Sequence, residues 1–413
     1  MAEIAPLKAL YYDREKVKDI GLVATPPYDV ISPEMRRRFL ERHPYNIVRL
    51  ILPDDYGGAS RTFKEWLQKG VFRREESPSI YPYQQVFSPP EGEERLERWG
   101  FIALVRLEDG AVIGHERTMD DVVKDRLSVL ESTGVQMGQI FSLFSDPKGE
   151  VERLIKEAVK GRPRFEFTDD EGVIHRLWRL SDPLLIKAVA RRLQGQRLLI
   201  ADGHHRYSTA LRFRELMRQR YPEAPAAAPF EFVAMYLTPM ESEGLLILPT
   251  HRLVPALPEE ALKGVSERME RFFQRRIFSP QQREELFRAI DRGEGLGFFR
   301  KGKGFALLLP RDGLPISGVL RRIDAALVDE LLLRGLSLKV DLTRDREEAM
   351  RAVLEGRYEM AFLLRPPRVQ DLKAVVEQGE LMPKKSTYFY PKAASGLVLF
   401  PVAEEGEVIE PLV

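Results

Sequence analysis

Two periodicities alternate along this chain. Short apolar runs closed by turn residues mark buried strands, and apolar residues three and four apart mark helices. Runs at 99–107, 111–113, 139–144, 198–201, 230–237, 245–248, 305–309 and 360–364 predict strands. Helical spacing covers 120–130, 183–193, 258–273, 280–291, 324–334, 345–355 and 368–378. Residues 46–52 read as a further buried strand and 59–74 as an amphipathic helix. Ser32-Pro33-Glu34 starts another helix, with Ser32 as cap and Pro33 in the first turn. Segments 164–168 and 173–180 form a hairpin around Asp169-Asp170-Glu171-Gly172. This interleaving predicts an α+β or mixed α/β fold. Its parts are an N-terminal α/β region (1–95), a central core (96–240) and a C-terminal α+β region (241–413).

The most pointed feature lies at 198–207. The run Leu198-Leu199-Ile200-Ala201 breaks off at Asp202-Gly203, and His204-His205-Arg206-Tyr207 opens a helix marked by Tyr207, Ala210, Leu211 and Met217. A strand, a tight polar turn and a helix start direct backbone N–H groups at the positive end of the helix dipole toward a bound anion. Arg206 adds a forked cation suited to phosphate oxygens. The plainer reading makes Asp202 a helix cap and the histidines surface or packing residues. An ionisable cluster directly after a core strand favours the anion site.

Composition narrows the classes. The 413 residues exceed one typical core. Lys plus Arg number 64 against 63 Asp plus Glu, so the basic excess of a dedicated nucleic-acid binder is missing. Nucleic acid is therefore not expected as a partner. Cysteine is absent, which removes thiolate metal sites, disulfides and cysteine nucleophiles. No apolar run has membrane-spanning length, and Met1 to Pro6 lacks signal-peptide form. A soluble cytoplasmic protein is expected. The oligomeric state stays open, a homo-oligomer included.

Four of the six histidines fall in polar clusters after apolar runs: His115 beside Glu116, His204 with His205, and His251 beside Arg252. That pattern predicts one shared site. Glu116 is the candidate general base, a carboxylate able to take the proton of an attacking hydroxyl; its plainer role is an ion pair at a strand end. His115, Thr118, His251 and Arg252 are further candidates. A three-imidazole zinc site competes, but the i, i+4 helical histidine pair is missing. Magnesium carried by a nucleotide needs only a carboxylate or two, and Asp202 is the metal candidate. The segment 384–392, with Lys384, Lys385, Ser386 and Lys392 among aromatics, reads as a phosphate- or nucleotide-contacting strand or as a lysine-guarded edge strand. Asp125-Arg126 reads as a network former. Walker, GxGxxG and GxSxG motifs are absent.

These segments resemble a prokaryotic family catalogued as a domain of unknown function. The resemblance rests on Pro26 to Ser32, His43-Pro44-Tyr45-Asn46, His115-Glu116-Arg117-Thr118, Ala201 to Tyr207, Pro249-Thr250-His251-Arg252 and Met382 to Lys392. The loop Gly203-His204-His205-Arg206 also resembles the phosphate-holding turn of the ParB/sulfiredoxin-like superfamily, which includes free-serine kinases with an Asp-Gly-His-His-Arg loop. The resemblance implies a ParB/sulfiredoxin-like core and ADP or ATP with Mg2+. It also implies a small hydroxylated acceptor, with L-serine the first candidate. Asp202, Gly203, His204, His205, Arg206, Lys384, Lys385, Ser386 and Lys392 would bind the nucleotide, and Glu116, His204 and Arg206 would carry the phosphoryl transfer. Two alternatives stand beside the kinase: a nucleotide-binding regulatory module switched by CTP or ATP, and a phosphate-ester hydrolase.

Overall fold

Strand alternation sorts the central residues into an apolar face and a polar-aromatic one. In the computed structural model, which describes residues 1–90, 92, 94–336, 338–403 and 407–410, the chain forms two compact units. One comprises Met1–Gly114, Thr118–Leu246 and Pro391–Val413; the other comprises His115–Arg117 and Ile247–Tyr390. The parts expected at 1–95 and 96–240 thus share the first unit, apart from His115–Arg117, and 241–413 is divided between both.

The first unit is built on a nine-stranded mixed sheet. From one edge the order is Val112–Ile113, Leu198–Asp202, Ile140–Phe144, Phe232–Pro239, Leu96–Arg106, Tyr81–Phe87, Ile174–Leu177 and Phe165–Thr168, with Ile4–Ala5 also on the 96–106 strand. Leu198–Asp202 runs parallel to Val112–Ile113, and Phe232–Pro239 parallel to Ile140–Phe144; the other pairings are antiparallel. Because successive residues face opposite ways, Phe101, Ala103, Val105, Val233, Met235, Leu237, Leu198 and Ile200 enter one core, joined by Ile186, Val189 and Leu193 of the Pro183–Leu193 helix. The intervening positions include Tyr83, Gln85, Arg98, Phe141 and Tyr236, all buried.

The second unit carries a six-stranded antiparallel sheet in the order Phe273–Phe278, Gly304–Pro310, Leu296–Arg300, Met360–Leu363, His251–Val254 and Asp341–Thr343. Its core joins Leu253, Phe299, Leu307 and Leu363 to Leu286, Ile290, Met350 and Val353 from two helices. The fold class is mixed α/β.

Two local expectations are corrected. Residues 46–52 are not a strand: Val48–Ile51 is a helical turn. Asn46 decides this, since its Oδ1 accepts the Val48 N–H at 3.0 Å while its Nδ2 donates to the Leu22 carbonyl at 2.8 Å. The helix expected over 59–74 ends at Gln68; Gly70, at φ 65°, turns the chain into the strand Phe72–Arg74. The helix expected over 324–334 is present from Asp324 to Leu333, with π-helical geometry over Leu327–Leu333.

Candidate functional site

Asp202 ends the Leu198–Asp202 strand, where the register against Ile140–Phe144 slips between Ile200 and Asp202. Such an irregularity re-aims the side chain that follows it. Gly203 then takes φ 98°, and His204–Arg220 begins at once. The left-handed φ suits glycine, and a Cβ here would meet the Arg206 guanidinium at 3.0 Å. Gly203 supplies no side-chain acceptor to the first turn, so the dipole end of a 17-residue helix keeps its attraction for an anion. Gly114 admits His204, whose Cδ2 would lie 2.9 Å from a Cβ at that position.

Charge gathers around Asp202. One carboxylate oxygen takes the Lys392 ammonium, and the other takes the Arg206 guanidinium at 2.6 Å. Burial alone would raise the Asp202 carboxyl; Lys392, then Arg206, then His204 hold it well below the usual carboxylate range. Arg206 also donates to the Gln139 carbonyl. Arg98, fully buried, feels the Asp202 charge and lies 4.6 Å from the Phe141 ring centroid and 5.8 Å from that of Tyr236. It donates to Gln85 and to the Pro391 carbonyl. Gln85 donates to the Lys392 carbonyl at 2.9 Å, and Tyr83 accepts the Ala394 N–H at 3.3 Å. This polar sheet face thus grips 391–394 and aims Lys392 at Asp202. Two cations, Lys392 and Arg206, thus hold the one Asp202 carboxylate.

The other expected residues are distributed as follows. His205 joins the first unit's loop, its Nε2 accepting the Met119 N–H at 3.1 Å, which fixes the entry to Asp120–Thr133. Thr118 accepts from Ser208 at 3.3 Å. His115, Glu116, His251, Arg252, Lys384, Lys385 and Ser386 belong to the second unit, so the four histidines do not fall in one unit. His115 is buried, its Nε2 3.1 Å from Thr387 Oγ1, and Glu116 bridges Met382 through its backbone. Arg252 is buried and forked onto Asp329 at 2.8 and 3.1 Å. It also donates to the carbonyl of Lys385, whose φ of 56° is left-handed. Ser386 turns back to the Pro383 carbonyl at 2.6 Å. The side chains of Lys384 and Lys385 are exposed.

Among the described residues no group of three or more His, Cys, Asp or Glu is placed to hold a metal ion. Asp202 does not suit a magnesium ligand either, because Lys392 and Arg206 occupy its oxygens and repel a second cation. Sequence reasoning missed Arg98, Gln85 and Tyr83. The available signal for Arg98 was a charge at the head of the apolar run 99–105.

His251 behaves differently from the loop histidines. Its Nδ1 accepts the Leu364 N–H at 3.0 Å, and its buried Nε2 has no hydrogen-bond partner. Burial, then Arg346, lower its pKa from 6.5 to about 3. The unfolded chain therefore binds this proton first, and stability falls as pH drops from 6.5 toward 3. Between pH 6.5 and 5 the loss is about 2 kcal/mol. His251→Asn, which keeps an acceptor at that position, is expected to flatten this part of the pH dependence in thermal melts; equal slopes in variant and parent would remove the assignment.

The fold and loop define a mixed α/β protein with a cationic strand–turn–helix site. The chain belongs to the family described as "Protein of unknown function (DUF1015)", matched over residues 4–326. No curated protein matches it in sequence. Among solved structures it is similar to a free serine kinase carrying one substitution, in complex with AMP (12% identity, TM-score 0.39, covering 70% of this chain and 87% of that one). It is also similar to C-terminally truncated SbnI from Staphylococcus aureus (12%, 0.41, 74% and 90%). A third is a conserved hypothetical protein from Pyrococcus furiosus (12%, 0.37, 75% and 95%). No helix among the described residues is long and apolar enough to cross a membrane.

Proposed function

We propose that this protein is a nucleotide-dependent phosphotransferase with a ParB/sulfiredoxin-like core, acting on a small hydroxylated metabolite, and that L-serine is the first acceptor to test. The observation that carries the reading is the Asp202–Arg206–Lys392 cluster at the start of the 204–220 helix. Arg206 and Lys392 both hold the Asp202 carboxylate, and a forked guanidinium and an ammonium beside a helix start suit the oxygens of a di- or triphosphate. The helix start and Arg206 would hold the terminal phosphates, and Lys392 would meet charge developing on them. In the transfer, the acceptor oxygen bonds to the terminal phosphorus while the P–O bond to the nucleotide leaving group breaks, and the hydroxyl proton passes to a general base. Magnesium would travel on the phosphates rather than on a protein-held site.

The test is phosphorus NMR of purified protein with magnesium, ADP or ATP, and a pool of hydroxylated metabolites including L-serine. A new phosphomonoester signal, lost in Arg206→Ala, is expected. Glu116→Gln, altering the carboxylate nominated as base, is expected to lower turnover and keep nucleotide binding. Unchanged spectra with nucleotide-induced thermal stabilisation would favour the regulatory module instead; inorganic phosphate released from phosphate esters without nucleotide would favour the hydrolase.

A further inference from the structure

Beside the first turn of the 204–220 helix, within the first unit, lies a cavity of about 90 Å³. One water needs about 10–15 Å³ of such space, so the cavity holds several waters' worth of volume. That is room enough for a planar ring system. Its walls are mainly aliphatic, with Val129, Val135, Ile140 and Val233 among them. Tyr28 forms another wall, with the Arg126 guanidinium 4.3 Å from its ring centroid. Gln136 and Ser395 bring an amide and a hydroxyl. Arg206 lines the cavity while holding Asp202.

We infer that this cavity receives the base of the nucleotide whose phosphates rest on the 203–206 turn, with Arg206 between the two subsites. The inference rests on the phosphotransferase reading. Apolar walls with a few polar groups at the rim are what a flat heteroaromatic ring requires. The charges on the walls discriminate against the other natural occupant, a zwitterionic acceptor. Among the described lining residues there is no carboxylate to receive the ammonium end of such a molecule. Tyr28 stays protonated, its hydroxyl pushed up to about 12 by burial and then by Asp29, so it adds no charge. Arg126, which the sequence marked as a network former, also donates to the Ile51 carbonyl and so fixes the wall in place before any ligand arrives.

The experiment is calorimetric titration of the full chain and of Val129→Trp, which fills the cavity, with ADP and separately with inorganic pyrophosphate, both with magnesium. Expected is at least a tenfold loss of ADP affinity in the variant, with pyrophosphate affinity kept within twofold. Unchanged ADP affinity, or equal losses for both ligands, overturns the base pocket while leaving the phosphate site standing. Loss of acceptor binding with ADP binding kept would assign the cavity to the acceptor and likewise overturn it. Failure of the parent protein to bind either ligand defeats the phosphotransferase reading and the pocket together. Should Val129→Trp not fold, Tyr28→Ala with the same two ligands decides: selective weakening of ADP supports the pocket, and unchanged ADP affinity overturns it.

Discussion

Arg206→Ala is expected to weaken ADP binding by about 30- to 150-fold, the equivalent of about 2–3 kcal/mol for hydrogen bonds between charged groups. Arg206 is the one side chain at the loop that both touches Asp202 and lines the cavity, so its removal takes charge and shape together. Arg206→Lys restores the charge without the fork and is expected to recover only part of the affinity. The fold itself should survive, because Lys392 still compensates Asp202. Titration calorimetry with ADP, alongside a thermal melt, separates these effects. A change in affinity below threefold in a normally folded Arg206→Ala protein would exclude this residue from the phosphate site.

Asp202→Asn is expected to move stability and anion affinity in opposite directions. The carboxylate is the shared counter-charge of Lys392 and Arg206, and removing one member of a buried ionic cluster costs about 3 kcal/mol or more. For a unit of this size that is a fall in Tm of roughly 6–12 °C. The same change removes the carboxylate that Lys392 and Arg206 share, so pyrophosphate should bind the variant more tightly and restore much of the lost Tm. In the parent, the lowered Asp202 carboxyl contributes stability that is full above the unfolded carboxylate range of about 3.9. That contribution fades as pH falls toward the lower folded value. The variant should lack this acid limb. Differential scanning fluorimetry with and without pyrophosphate reads both effects. A variant as stable as the parent, or one that pyrophosphate does not rescue, would mean that the cluster does not act as an anion receptor.

Much of the scaffold was legible because its signals are local. Asp182 and Pro183 announce the helix Pro183–Leu193, and Ser32 caps Pro33–Arg42 through the Met35 N–H. The turn at Asp202-Gly203 stands out because an apolar run ends there. Length and periodicity cannot separate a four-residue helical turn from a buried strand, which is why Asn46's side-chain bonds decided residues 46–52 against the apolar pattern. The strand Phe273–Phe278 was hidden for the opposite reason, since Gln274 to Ile277 are exposed and show no alternation. The candidate site was legible only where it is contiguous. Lys392 was marked for its composition, but its partner Asp202 lies 190 positions away, and nothing local connects them. Arg98 belongs to the same cluster by virtue of strand pairing, a property of the sheet rather than of the 96–106 segment.

The separation between Asp202 and Lys392 has a consequence for the making of the protein. A chain emerging from the ribosome has the Asp202-Gly203 turn and Arg206 long before residue 392 exists. Until then Asp202 keeps Arg206 but lacks the Lys392 ammonium, and Arg98 lacks the Pro391 carbonyl it donates to. Closing so long a loop is among the slower steps available to a folding chain. The anion receptor is therefore a late product of synthesis, and a nascent or prematurely terminated chain carries the loop without the lysine that completes it.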